Sequence, residues 1–354
     1  MWSTVYVDHR DLNRLAKLWR LVDRIEKLNY SIGPSQLAPF LSSLGPAPNL
    51  KVLCIRPNFG LGIKWKPPIH IPAIFSGGLP TLRVLNLKDF PISPAHVLDA
   101  LRESPSIESL RLEGHCTLPQ GFHPPTVTLP SLEECALVGR GTASLIRFLT
   151  VPVSARVFLS KPYNDGTIFP NFYHISVAPN LRVLEGVSTI SSRISDDVIR
   201  LHVKNYRGGD LDAEVYGLYD LSRDPVIFSH FIRSSFDCGR TCLGFKTTKV
   251  FTLDVYRDCM WEPEDATCFA LDVMGFIFNL PSIEEVTLRG VLSLELSSIL
   301  KLLHSAENFE LPCPNLKRLG LDIESTPIRS PRRLLLKLGK LLSERRKQER
   351  LSNP

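Results

Sequence analysis

The apolar positions of this chain fall into a recurring phrase. It reads proline, a small polar residue, an aliphatic, two variable residues, an aliphatic, one variable residue, and a closing aliphatic. Clear copies are Pro48-Asn-Leu-Lys-Val-Leu-Cys-Ile55, Pro80-Thr-Leu-Arg-Val-Leu-Asn-Leu87, Pro105-Ser-Ile-Glu-Ser-Leu-Arg-Leu112 and Pro130-Ser-Leu-Glu-Glu-Cys-Ala-Leu137. Pro179-Asn-Leu-Arg-Val-Leu-Glu-Gly186 decays at its end, and Pro281-Ser-Ile-Glu-Glu-Val-Thr-Leu288 and Pro314-Asn-Leu-Lys-Arg-Leu-Gly-Leu321 follow. The best-spaced prolines are 105 − 80 = 25 and 130 − 105 = 25 residues apart. A weak copy, Pro152 to Leu159, fills the next gap. Val198/Leu201/Val203 and Val250/Leu253/Val255 keep the aliphatic spacing without the proline.

The closing aliphatic-x-aliphatic is a short period-two strand with one face turned inward. The proline and its polar neighbour end the preceding element, because a proline disfavours helix at the residue before it. One such strand buries little, so copies must stack into a continuous parallel sheet. Helices fit the intervals. Ser93-Pro94 supplies an N-cap and a first-turn proline for Ser93–Arg102, and Gln36–Leu44, Gly141–Phe148, Asp265–Phe278 and Leu294–His304 follow suit. The predicted class is α/β: a leucine-rich-repeat solenoid, a curved parallel β-sheet with helices on its convex side. An ordinary doubly wound sheet also alternates strand and helix, but its strands do not share one signature. Between Gly186 and Leu280 the proline is lost, and insertions are expected there.

Charge adds a polarity along the chain. The net charge is +6. Residues 327–354 hold nine Lys or Arg and two Asp or Glu, 9 − 2 = +7, leaving 6 − 7 = −1 for the rest. A near-neutral body argues against a nucleic-acid-binding surface. Leu334, Leu338, Leu341 and Leu342, after Ser330-Pro331, predict a last helix capping the open end, with Arg345, Arg346 and Lys347 on its wet side. Such a basic helix also suits an acidic partner or nuclear import.

No apolar run reaches the roughly 20 residues of a membrane span; Phe269–Leu280 is short and contains Asp272. Asp8, His9, Arg10 and Asp11 break any signal peptide. The cysteines are scattered singly except Cys238 and Cys242, which have no second pair at metal-site spacing. Buried or free thiols in a reducing compartment are expected, with Cys135 in a leucine's place, and no metal or cofactor. The expected location is the cytoplasm, or the nucleus if the tail directs import.

Catalytic signatures are absent from the sequence: no Gly-x-Ser-x-Gly elbow and no phosphate-loop Gly-Lys-Ser/Thr. Gly60-Leu-Gly62 lacks the third glycine of a dinucleotide loop. His115-Cys116 reads as a turn pair after Leu112. Glu133-Glu134 and Glu284-Glu285 recur at one repeat position, which marks solvated strand residues rather than an acid/base pair. Glu262, Glu264 and Asp265 suit a helix N-terminus. The chain is therefore expected not to be an enzyme. In a solenoid the variable residues beside the core aliphatics line the concave face. Here they are Arg56, Asn86, Lys88, Arg111, Glu113, Glu134, Glu285, Thr287, Arg289, Arg318 and Asp322. Their mixed charge suits an unidentified protein partner better than a phosphate backbone or a membrane.

Pro-Asn-Leu-Lys-Val-Leu and Pro-Ser-Leu-Glu resemble the repeats of fungal F-box/leucine-rich-repeat proteins, chiefly those of mushroom-type (basidiomycete) fungi. Trp2-Ser-Thr-Val-Tyr-Val-Asp8 resembles the segment where their F-box ends, and Leu28-Asn-Tyr-Ser-Ile32 the first strand after it. The resemblance covers essentially the whole chain. It implies the substrate-recognition part of a ubiquitin-ligase receptor, residues 1–32 being the F-box remnant and first strand, 33–326 the repeats and 327–354 the basic cap. The F-box itself is missing. Contact with the ligase adaptor is expected only if an F-box lies upstream of Met1, and a ligase-independent scaffold is the alternative.

Overall fold

In a computed structural model of the chain, the residues described are 4–7, 24–32, 48–57, 79–119, 121–162, 181–195, 198–216, 243–256, 271, 273–290, 296, 299, 313, 315–322, 336, 339 and 343. They form an α/β fold dominated by mostly parallel sheet with few helices. The chain divides into two compact units: 1–166 with 178–183 and 207–214, and 167–177 with 184–206 and 215–354.

The first unit carries β1 (Thr4–Val7), β2 (Lys27–Ile32), β3 (Val52–Pro57), β4 (Val84–Ile92), β5 (Ser109–Cys116), β7 (Glu134–Val138) and β9 (Arg156–Pro162), side by side in that order. β12 (Asp210–Tyr216) lies beside β9. From β1 to β9 every neighbour is parallel. β6 (Val127–Thr128) and β8 (Leu149–Thr150) form a separate parallel pair.

Register turns the phrase into ladders. Its first strand aliphatic stacks as Leu28–Leu53–Leu85–Leu110–Cys135–Val157, its last as Tyr30–Ile55–Leu87–Leu112–Leu137–Leu159. All twelve are buried, and each leucine so placed contributes about 2 kcal/mol by area removed from water.

The proline has a defined job. The N–H of Leu82, Ile107, Leu132 and Ile283 donates to the carbonyl of Leu79, Ser104, Leu129 and Leu280 respectively. That places each proline at the second position of a β-turn, whose φ it presets. The polar residue brackets the preceding copy. Thr81 Oγ1 donates to Pro48 O at 2.7 Å, and Asn315 Nδ2 donates to Pro281 O at 2.9 Å.

Between strands the expectations hold in part. α1 (Pro94–Arg102) begins at Ser93, whose extended backbone suits an N-cap although its hydroxyl makes no capping bond. The helix expected over Gly141–Phe148 is a 3-10 helix, Ala143–Phe148. Gly141 is held in a bridge to His115, which leaves too short a run for an α-helix. Among the described residues no helix lies between β5 and β7, where Pro119, Pro124 and Pro125 interrupt the chain. The Gln36–Leu44 expectation lies outside the described residues. Of the others, residues 271, 273–278, 296, 299, 336, 339 and 343 are helical.

The second unit carries β10 (Val187–Ser195), β11 (Val198–Asn205), β13 (Val250–Tyr256), β14 (Glu285–Arg289) and β15 (Arg318–Asp322). β10, β13, β14 and β15 are parallel, with buried Ile190, Phe251 and Val286 in one ladder. Phe276, from the helical residues 273–278, packs on Phe251 with ring centroids 5.3 Å apart. The Val198/Leu201/Val203 segment is a strand, but it pairs antiparallel with β10 rather than as a further parallel copy. The Pro179 copy puts a 3-10 turn at Arg182–Leu184, and its strand starts only at Val187. Gly186 supplies no aliphatic where the phrase needs its last one.

Candidate binding face

Period-two alternation sends alternate side chains to the face opposite the ladders. Arg56, Asn86, Lys88, Arg111, Glu113 and Glu134 lie on that face in the first unit, and Glu285, Thr287, Arg289, Arg318 and Asp322 in the second. Register joins them across strands: Asn29–Cys54–Asn86–Arg111 forms one row, Asp254–Arg289–Asp322 another.

Glu113 departs from expectation. It is buried, not exposed, at 8% relative exposure. Leu87 faces Leu112 but Phe90 faces Gly114, so Lys88 and Asp89 together oppose Glu113 in a bulge. Lys88 Nζ then stands 3.5 Å from the Glu113 carboxylate, and Arg111 pairs with the other carboxylate oxygen. Elsewhere Arg156 pairs with Glu134, Arg289 with Asp254 at 3.6 Å, and Arg318 with Glu285. Arg193 lies over the exposed Tyr256 ring, 4.7 Å from its centroid. Among described residues, Lys27 and Arg56 make no ion pair with another described residue, and both are exposed.

Asp254 and Arg156 belong to this face although the full phrase does not flag them. Both sit in copies without the complete signature, and the aliphatic offset of Val250/Leu253/Val255 and Pro152–Leu159 finds them. A second missed signal is the tenth phrase position. Asp89, Gly114, Gly139 and Gly290 occupy it, with φ of 51°, 150°, 110° and 65°. The recurrence of glycine nine residues after Pro105, Pro130 and Pro281 was readable.

The fourth position forms a charge ladder along the strand starts. Lys51 meets Glu26 at 3.4 Å, Arg83 meets Glu108 at 2.9 Å, and Glu284 bridges Lys249 at 3.1 Å and Lys317 at 2.9 Å. Hydrogen bonds from Lys317 and then Lys249 hold the Glu284 carboxyl below its ordinary value. Glu133 and Glu134 are exposed as expected. Pairs this exposed are screened by water and contribute little to stability.

His115 and Cys116 are not a turn pair: they close β5, the imidazole exposed and the thiol buried. Alternation turns them to opposite faces, so they cannot act on one another. Burial pushes the Cys135 thiol up to about 12 and raises that of Cys54, the reverse of what a thiolate nucleophile needs. Cys238 and Cys242, Gly60 and Gly62, and Glu262, Glu264 and Asp265 lie outside the described residues. Among the described residues no group of three or more His, Cys, Asp and Glu could hold a metal, and no helix is long and apolar enough to cross a membrane.

Compared with models of protein families the chain matches none, and no curated protein matches it. The class defined so far is an α/β fold of mostly parallel strands whose non-core face is exposed, charged and largely paired within itself.

Proposed function

We propose that this chain is a leucine-rich-repeat solenoid that binds another protein on the face opposite its aliphatic ladders, without catalysis. The observation that carries the reading is the alignment of the phrase into two ladders. It leaves a face whose residues differ from strand to strand while the core stays constant. Constant core with variable face is the design of a recognition surface. The resemblance to F-box/leucine-rich-repeat proteins supports a substrate-recognition role. A ligase-independent scaffold rests on the same face. Cytoplasm, or nucleus through the basic tail, is the compartment that goes with either.

Affinity capture from the cells of origin tests this, with Arg111→Glu and Arg289→Glu as variants. Partners lost on either charge reversal support a binding face. Partners indifferent to both, and to reversal of every other outward charge, overturn it. The ligase adaptor subunit should co-purify with a substrate receptor and be missing with a scaffold.

A further inference from the structure

The outward face of the first unit is electrically divided. Strands β2 to β5 present four cations, Lys27, Arg56, Lys88 and Arg111, against two acids, Asp89 and Glu113. Strands β7, β9 and β12 present four acids, Glu134, Asp210, Asp212 and Glu214, against one base, Arg156, among the described residues. On the acidic side Glu134 is taken by Arg156, and Glu214 accepts a hydrogen bond from buried Ser160 at 2.8 Å. On the basic side Glu113 is shared by Lys88 and Arg111, while Lys27 and Arg56 make no ion pair with a described residue.

Between the cations runs the row Asn29–Cys54–Asn86. The Oδ1 of Asn86 is a buried acceptor without a hydrogen-bond partner. Carboxamides supply both donors and acceptors, which is the need of an extended peptide backbone. The row with its cations crosses three strand spacings, about 14 Å, the reach of about four extended residues. Taking the binding face proposed above as its basis, we infer that β2 to β5 dock an extended acidic segment of a partner protein. Its carboxylates meet Lys27, Arg56, Lys88 and Arg111, and its backbone bonds the Asn29–Asn86 row. A phosphate backbone fits less well, because it has no N–H to donate to the unpartnered Asn86 Oδ1, whereas a peptide backbone does.

The test uses the full chain and fluorescence anisotropy with a labelled peptide of alternating Glu and Ser, about twelve residues long to exceed the span. Its Lys/Ser counterpart and a single-stranded oligonucleotide are the competitors. Expected is binding of the acidic peptide alone, weakening as salt rises. It should fall about tenfold or more in Lys27→Glu/Arg56→Glu and persist in Lys246→Glu, an exposed cation on the 3-10 turn Leu243–Thr247. No binding at low salt, indifference to the double variant, or tighter oligonucleotide binding overturns the inference. Captured partners separate it from the reading beneath. Partners lost with Arg289→Glu but kept by Lys27→Glu/Arg56→Glu leave the binding face standing and sink the acidic segment.

Discussion

From β2 to β9 each strand lies parallel to the next and puts its two aliphatics into common ladders. From β10 to β11 the chain doubles back, and the buried slot beside Leu253 is filled by Ser192. Both stretches are rich in strand-forming residues, so propensity does not separate them. The difference is whether an aliphatic is present at both inward positions. The copy at Pro179 lacks the second of these at Gly186. A strand then forms from Val187 onward, and its partner becomes the next segment in sequence, which an antiparallel pair can reach through a short connection.

Substitution at the inward positions gives the largest test. Leu110→Ala empties a slot between Leu85 and Cys135 and should cost about 2–5 kcal/mol in urea unfolding. Ser192→Ala, at the corresponding inward slot of β10, should change stability by less than about 1 kcal/mol, since little volume is lost. Equal losses at the two sites would mean that the ladders are not what separates these stretches.

The glycines rank next. A Cβ on Gly139 would stand 2.3 Å from the Gly114 carbonyl, with φ at 110°. Backbone cannot retreat, so Gly139→Ala should cost about 2–4 kcal/mol, strain and clash together. At Gly186 the obstacle is the Tyr206 ring, 1.8 Å away but on a side chain 66% exposed. The ring can swing aside, leaving about 1–2 kcal/mol for the left-handed backbone. Asp89 carries φ 51° at the tenth position without being glycine, so Asp89→Gly should be neutral or stabilising by up to about 1 kcal/mol. Thermal melts of the three variants give the order, and a Gly186→Ala cost above that of Gly139→Ala would reverse it.

How far the sequence discloses this architecture depends on the kind of signal. Strands and inward residues were legible because the phrase repeats a physical requirement, two apolar contacts per strand. Strand direction at β11 was not, since Val198, Leu201 and Val203 have the same spacing whichever way the strand runs. The outward residues were identified by offset alone. Their pairing was not, because burial of Glu113 depends on a bulge at Lys88–Asp89, and the Glu284 bridge depends on lysines 35 and 33 residues away (284 − 249 and 317 − 284). Helix type at Gly141–Phe148 turned on a bridge to His115 that no local pattern announces.

Smaller effects probe what ties one copy to the next. Thr81 Oγ1 reaches the Pro48 carbonyl, and also Leu50 O at 3.1 Å. Thr81→Val keeps the shape and removes the donor, for an expected loss of about 1 kcal/mol. Asn315→Ala removes the corresponding bond in the second unit and should cost a similar amount. A large loss at only one of them would show that the bracket matters in that unit alone.

The smallest expected effect is electrostatic and is read by pH. Glu284 joins Lys249 and Lys317, and both hold its carboxyl below the ordinary value of 4.5. A depressed carboxyl binds its proton less readily in the folded chain than in the unfolded one. Its stabilisation is therefore complete above the unfolded value and disappears as pH falls through the folded one. Glu284→Gln should flatten the acid limb of the stability profile below about pH 5 and leave the slope near neutrality unchanged. Because the group is exposed, raising the ionic strength should erase most of the difference. Glu133→Gln is the matched comparison: the same phrase position, with no ion pair to a described residue. If the two variants change the acid limb equally, the lysine bridge contributes nothing, and the charge ladder along the strand starts is only a row of solvated side chains.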